Sequence, residues 1–264
     1  MFGRKKVQHP PAPPPPPPPP PPAAAGGDPG DPHSHPGHQA VLRHLDEREK
    51  QEPLIRAQVA GGIVFDLFVR ILSEQGGRVR IEDLIAALAS IGGHLCLTAA
   101  LDQLGRERLT PKAAGMMELQ DREGNIYFFG DLPNRFLLES ESALLSLVLG
   151  AAHAHGAPVS LEMVHEAMKR TASRVGAPDF GRPEVPEPHQ PALSPFDWVR
   201  HGRERMTEAF DLYEVPPPQR PAAVGFALQR AIAEGREVLD PLMAARIAVE
   251  CAVPMAKVDP RRFA

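Results

Sequence analysis

Arg78-Val79-Arg80-Ile81-Glu82-Asp83-Leu84-Ile85-Ala86-Ala87-Leu88-Ala89-Ser90-Ile91-Gly92-Gly93-His94-Leu95-Cys96-Leu97-Thr98-Ala99-Ala100-Leu101-Asp102-Gln103-Leu104-Gly105 is the stretch on which the fold turns. Residues 78–81 alternate polar and apolar, the pattern of a short half-buried strand. Glu82 and Asp83 then place two carboxylates in the first turn of a helix, where they complement its dipole. Leu84, Ile85, Leu88 and Ile91 form the apolar face of that helix. Each glycine costs about 1 kcal/mol in a helix interior, so Gly92-Gly93 is expected to break the chain. A further helix over 94–105 then carries Leu95, Leu97, Ala99, Ala100, Leu101 and Leu104.

Working outward, residues 54–75 carry apolar side chains on nearly every side, with Asp66 and Arg70 as the main polar pair, and read as a central buried helix. Gly61-Gly62 in its middle implies that a neighbouring helix approaches the backbone there. On the other side, Met117 and Leu119 alternate with Glu118 and Gln120, residues 121–125 are rich in turn formers, and Ile126-Tyr127-Phe128-Phe129 is aromatic and β-prone. That pattern predicts a β-hairpin.

The order helix, short strand, helix, turn, helix, hairpin over residues 54–130 is similar to that of the winged-helix family. The resemblance covers less than a third of the chain and rests on element order. It implies that the third helix and the hairpin loop would meet DNA, as in winged helices that bind it. The corresponding residues are His94, Thr98, Asp102, Gln103 and Arg106 on the helix, with Arg122 and Asn125 on the wing. Charge opposes that reading, because residues 54–130 hold eight Lys/Arg against nine Asp/Glu. Phosphate neutralisation supplies most non-specific affinity for nucleic acid. Protein–protein contact is the favoured use, and a winged-helix DNA-binding regulator is the alternative.

The whole chain has 264 residues and a formal net charge of −4, which points to neither nucleic acid nor acidic lipid. Of its 32 prolines, fifteen lie in the first 38 residues, including an unbroken run over 13–22. Such a run reads as a polyproline II rod of roughly 30 Å, a spacer or a ligand for an aromatic groove. Residues 1–38 are therefore expected to be a disordered proline-rich leader. The tract His33-Ser34-His35-Pro36-Gly37-His38 lacks the ordered ligand set of a metal site. The basic start is followed by proline where an export signal needs an apolar core. The window 59–72, taken as the most apolar, is interrupted by Asp66 and Arg70, so no membrane span is expected. Cys96 and Cys251 stand apart in apolar surroundings, as expected of reduced thiols in a cytoplasmic protein.

The rest of the chain predicts helices punctuated by proline: a connecting helix in 39–53, a winged-helix-like module over 54–138, a helical pair in 139–176 with Ser160 as an N-cap, a Pro-rich linker over 177–195, helices in 196–254 and a tail over 255–264. His153, His155 and the pair Glu162 and His165 lack the partner carboxylates of a metal-binding bundle. No nucleophile elbow, phosphate loop, dinucleotide fingerprint or paired-cysteine motif occurs. The expectation is thus a mainly α protein with one small hairpin and no catalytic, cofactor-binding or metal-ligating residues. It would be a non-enzymatic interaction or adaptor protein, using a helical surface and a polyproline tether, whose partner is another protein.

Overall fold

The structure, a computed structural model, describes residues 35–263. The polyproline run and His33 lie outside the described residues. The protein is mainly α-helical with one small antiparallel hairpin, as its patterning implies. Nine α-helices are described: α1 (Pro36–Glu49), α2 (Ile55–Gly76), α3 (Ile81–Glu107), α4 (Asp131–Asn134), α5 (Leu144–Ala154), α6 (Leu161–Ser173), α7 (Pro195–Leu212), α8 (Arg220–Gly235) and α9 (Pro241–Met255). The hairpin, β1 (Met117–Gln120) with β2 (Ile126–Phe129), sits between α3 and α4, and one wide helical turn over Arg135–Glu139 follows α4.

At its centre lies α3, every residue of which from Asp83 to Leu97 is buried. It packs against α9, α8 and α7, while α2 and α5 lie on α8 and α6 lies on α9. A helix that is apolar all round belongs inside a protein. The expected break at Gly92-Gly93 does not occur, because α3 runs through it unbroken. A Cβ on Gly93 would lie 2.1 Å from the Ala252 carbonyl oxygen of α9, and one on Gly92 would lie 2.9 Å from Val224 of α8. The two glycines are therefore the places where neighbouring helices touch the α3 backbone, and the packing gained there offsets their poor helix propensity. Arg78–Arg80 forms no strand, and α3 starts directly after it. The structure thus departs from the winged-helix order, with one long helix standing where the resemblance required a strand and two helices.

The window 59–72 was also the wrong place to judge membrane spans. Ile81–Glu107 and Asp131–Ala154 are long and apolar enough to cross a membrane by length and composition, and 89% of the apolar window in the first lies buried inside the protein. Its apolarity is accounted for by the helices around it.

Local chemistry bears out the turn at Asp121 but not the cap at Ser160, and it starts a helix at Pro36, inside the stretch expected to be a disordered leader. Asp121 closes the hairpin by accepting from the Glu123 and Asn125 amides, each at 2.9 Å. Asp240 caps α9 through the Leu242 and Met243 amides. Ser160 stands before α6, but its side chain makes no capping bond. At the start of α1, His35 caps the helix through Nδ1, which accepts from the Gly37 amide at 3.1 Å, and Pro36 occupies the first turn.

Residues expected in separate modules share a single core, which includes Ala57, Tyr127, Leu144, Val164, Phe180, Trp198, Ile247 and Phe263. The Pro-rich segment 177–195 is a strap upon this core. Phe180, Pro183 and Val185 are buried, the Ala192 amide donates to Asp83 at 2.7 Å, and His189 meets Glu82 at 3.1 Å. It pins the first turn of α3, whose carboxylates gain partners beyond the helix dipole.

Gly61 resolves in the same way as Gly93, for a Cβ there would lie 2.5 Å from the Ala223 carbonyl of α8. Its neighbour Gly62 faces open space. Gly93→Ala is accordingly expected to destabilise the fold by about 3 kcal/mol or more, since a backbone oxygen cannot yield as a side chain can. Gly62→Ala is expected to stabilise it by about 0.5–1 kcal/mol. Urea unfolding of the two variants checks both signs.

Candidate functional site

Two surface depressions and a few buried polar groups hold the chemistry of this fold. The first depression is a groove of about 770 Å³ between α2 and α7. These helices are pinned at two points. Near one end the Phe68 ring of α2 lies over Gly202 of α7, where a Cβ would fall 3.2 Å from the ring and 2.7 Å from Ile91 of α3. At the other end Arg56 of α2, only 4% exposed, donates to the Tyr213 carbonyl at 2.9 Å and to Asp46 and Glu49 of α1 at 2.5 and 3.1 Å. Between the pins the helices leave a trough floored by Ile63, Leu67, Ala209 and Leu212.

The rim of the trough is charged. Asp66 and Asp211 are held by Arg230 and Arg220 at 2.9 and 2.6 Å, and Arg205 faces Glu208 at 3.4 Å. Arg70 at the far end forms no ion pair among the described residues. The spacing Ile63, Leu67, Arg70 on α2 and Arg205, Ala209, Leu212 on α7 puts each set on one helix face. The excess of apolar residues around α2 was the signal for this surface in the sequence. Its position opposite α7 was not legible there.

The second depression, of about 940 Å³, lies between the hairpin turn and the strap, with Asn125, Arg182 and Arg262 among its walls. The Tyr127 hydroxyl donates to Asp121 at 3.1 Å and accepts from Arg262 at 3.2 Å, and Arg262 stacks 4.6 Å over the Phe196 ring. Hydrogen bonds led by the Asn125 side chain hold the Asp121 carboxyl below its usual range, and burial pushes the Tyr127 phenol up. Asp121, Tyr127 and Arg262 thus satisfy one another at the wall of the cleft.

The buried groups are His94, beside Arg203 and Phe263, and Cys96, which faces Lys257. Burial, aided by Arg203, lowers His94 to about 4, and its ring packs edge-on to Phe263 at 5.2 Å with Nδ1 lacking a hydrogen-bond partner. Burial also pushes the Cys96 and Cys251 thiols up, which makes them poor nucleophiles. Lys257 is lowered to about 8 by burial and donates to the Asn134 side chain at 2.7 Å. Neither depression is lined by any of these residues.

The residues implied by the winged-helix resemblance are dispersed in role. His94 is buried in the core. The Thr98 hydroxyl donates to the His94 carbonyl at 2.9 Å, Gln103 donates to Glu107 at 2.9 Å, and Arg106 pairs with Asp102. Asn125 is bound to Asp121 within the turn at 2.8 Å, and Arg122 is exposed beside it. His94 apart, Thr98, Asp102 and Arg106 follow one another at four-residue spacing along one face of α3, and another side of α3 meets the hairpin through Leu97 and Leu104 against Phe128.

No family model, curated protein or solved structure matches the chain.

The state of His94 has a stability consequence. Its folded value lies below the ordinary 6.5, so the unfolded chain binds more protons between these limits. Stability from this residue is complete above pH 6.5 and declines as pH falls towards 4, by about 2 kcal/mol between pH 7 and 5. Urea unfolding at the two pH values should show that loss in the parent and a smaller one in His94→Gln.

Proposed function

We propose that this is a non-enzymatic protein-interaction protein whose α2/α7 groove receives an amphipathic helix of a partner. The observation that carries the reading is the shape and chemistry of the groove. An apolar floor of Ile63, Leu67, Ala209 and Leu212 lies between two charged helix margins. Helix-in-groove recognition uses such a trough, with partner anchors repeating at i, i+3 or i+4, and i+7. Mixed rim charge, with Arg70 free to meet a carboxylate, gives the partner an orientation without demanding a strongly charged one.

The inertness of the titratable groups agrees with the reading. The thiols are buried and held in their neutral form, and in the cleft by the hairpin Asp121, Tyr127 and Arg262 are bonded to one another. Use of the fold as a DNA-binding regulator has against it the burial of His94 and the local pairing of Gln103 and Arg106.

Panning a displayed library of helical peptides on the full chain tests the groove. Peptides with apolar residues at helical spacing should be enriched, and replacing the floor residue Leu67→Arg should lower their affinity at least about tenfold, the size of loss expected when one anchor is removed. Enrichment that survives Leu67→Arg, or no enrichment, would overturn the assignment. Salt-sensitive binding of generic duplex DNA would replace it with the regulator reading.

A further inference from the structure

The hairpin carries an unused pairing edge, and its hydrogen-bond parity identifies that edge residue by residue. The strands pair antiparallel with Met117 opposite Phe129 and Leu119 opposite Tyr127. In the same register the Asp121 amide donates to the Asn125 carbonyl at 3.0 Å, so Asp121 and Asn125 are a hydrogen-bonded pair. Such pairs alternate along an antiparallel ladder. Met117 and Leu119 therefore bond inward to β2, while the backbone groups of Glu118 and Gln120 point away from it.

The opposite edge of β2 obeys the same parity and is occupied. The Phe128 amide donates to the Lys257 carbonyl at 2.7 Å, and the Asp259 amide donates to the Ile126 carbonyl at 3.0 Å, with Tyr127 facing Val258. A single β-bridge with its two flanking hydrogen bonds thus covers that side. On the β1 side nothing pairs among the described residues, and all four residues of β1 are exposed.

Side chains add a second observation. Residues directly opposite one another share a face of the sheet, so Val258, Tyr127 and Leu119 form one row, with Met117 beside it. The row is buried at Val258 and Tyr127 and ends with Leu119 36% and Met117 59% exposed. An apolar row that runs out of the core to an open strand edge marks an interaction surface or an aggregation hazard.

We infer that β1 pairs with β1 of a second copy of this chain, antiparallel about a two-fold axis through Leu119. Charge excludes one neighbouring register and the hairpin turn excludes the other. Centring on Leu119 sets Glu118 opposite Gln120 of the second copy, and each pair exchanges N–H···O bonds through the outward backbone groups. Centring on Glu118 would oppose two carboxylates, which destabilises a sheet. Centring on Gln120 would draw Arg122, a turn residue, into the ladder. At the Leu119 centre the two leucines form a non-hydrogen-bonded pair with Cα atoms about 4.5 Å apart, and the apolar rows of the two copies join. A four-residue edge buries less than the roughly 1,200 Å² of a stable interface, so the association depends on concentration. This surface is separate from the α2/α7 groove and does not rest on the reading of that groove.

Sedimentation of the full chain over a dilution series should show a reversible monomer–dimer equilibrium. Both native thiols are buried at 0% exposure, so an added surface cysteine reports alone. Leu119→Cys should give a disulfide-linked dimer with oxidised glutathione, because the paired Cα atoms fall at or near bridging distance. Met117→Cys should not, because its two copies are separated by about 13 Å along the ladder. Gln120→Lys, which faces Glu118 of the other copy, should tighten the dimer roughly fivefold, and Gln120→Glu should weaken it by a similar factor. A monomer at every concentration, equal cross-linking at both positions, or same-sign effects of the Gln120 variants would overturn the inference.

Discussion

The crossing of α3 and α9 at Gly93 constrains everything else in the fold. Because a Cβ there would lie 2.1 Å from the Ala252 carbonyl, the two backbones approach as closely as helices can. That approach brings Cys96 and Ser90 of α3 and Ala248 and Cys251 of α9 into an interior with no exposed residue. Dispersion attraction is summed over many such contacts, and it falls off steeply with any gap. Small residues at the crossing thus act as the fold's closest packing, and larger ones complete the core around it, with Ile91 reaching Gly202 of α7.

Once α3 is enclosed, its two ends determine where polar chemistry can go. Its N-terminal carboxylates are held by the strap, through Asp83 to the Ala192 amide and Glu82 to His189. Towards its C-terminus the hairpin closes over Leu97 and Leu104. The Lys257 ammonium reaches the Asn134 side chain beneath this hairpin, and Glu250 receives Arg170 and the Glu184 amide on the opposite flank of α9. Buried charges with partners on other elements are costly to separate. They couple the strap, α6 and α9 into one body, which is why segments that look modular in sequence share one core.

Much of the element content is visible in local chemistry, and much of the arrangement is not. The hairpin is legible because alternation and an Asp-to-Gly turn act over a few residues, and Asp240 and Pro241 announce α9 for the same reason. Gly92-Gly93 misleads because propensity is a local cost, whereas the compensating contact comes from residue 252. The winged-helix element order departs at that same point, where α3 is continuous and His94 is buried. Gly61 was interpretable because its helix was already apolar on all sides, so an approaching neighbour was the remaining explanation. The groove residues are harder to see. Ile63 and Leu67 look like core until the two pins, Gly202 against Phe68 and Arg56 on Tyr213, hold α2 and α7 apart between them.

The same constraint separates the interior from the surface. Deep burial leaves His94 neutral, the thiols protonated and Lys257 weakened as a cation, so none has the solvent access that chemistry on an outside ligand requires. Besides the polar cleft by the hairpin, two open features are built from backbone and apolar side chains: a trough where two pinned helices part, and a strand edge where a core row of residues stops. Both are features of packing left incomplete. In a helical fold enclosed this tightly around one apolar helix, incomplete packing at the surface is where a second polypeptide gains most, because its contacts extend rows that the core has already ordered.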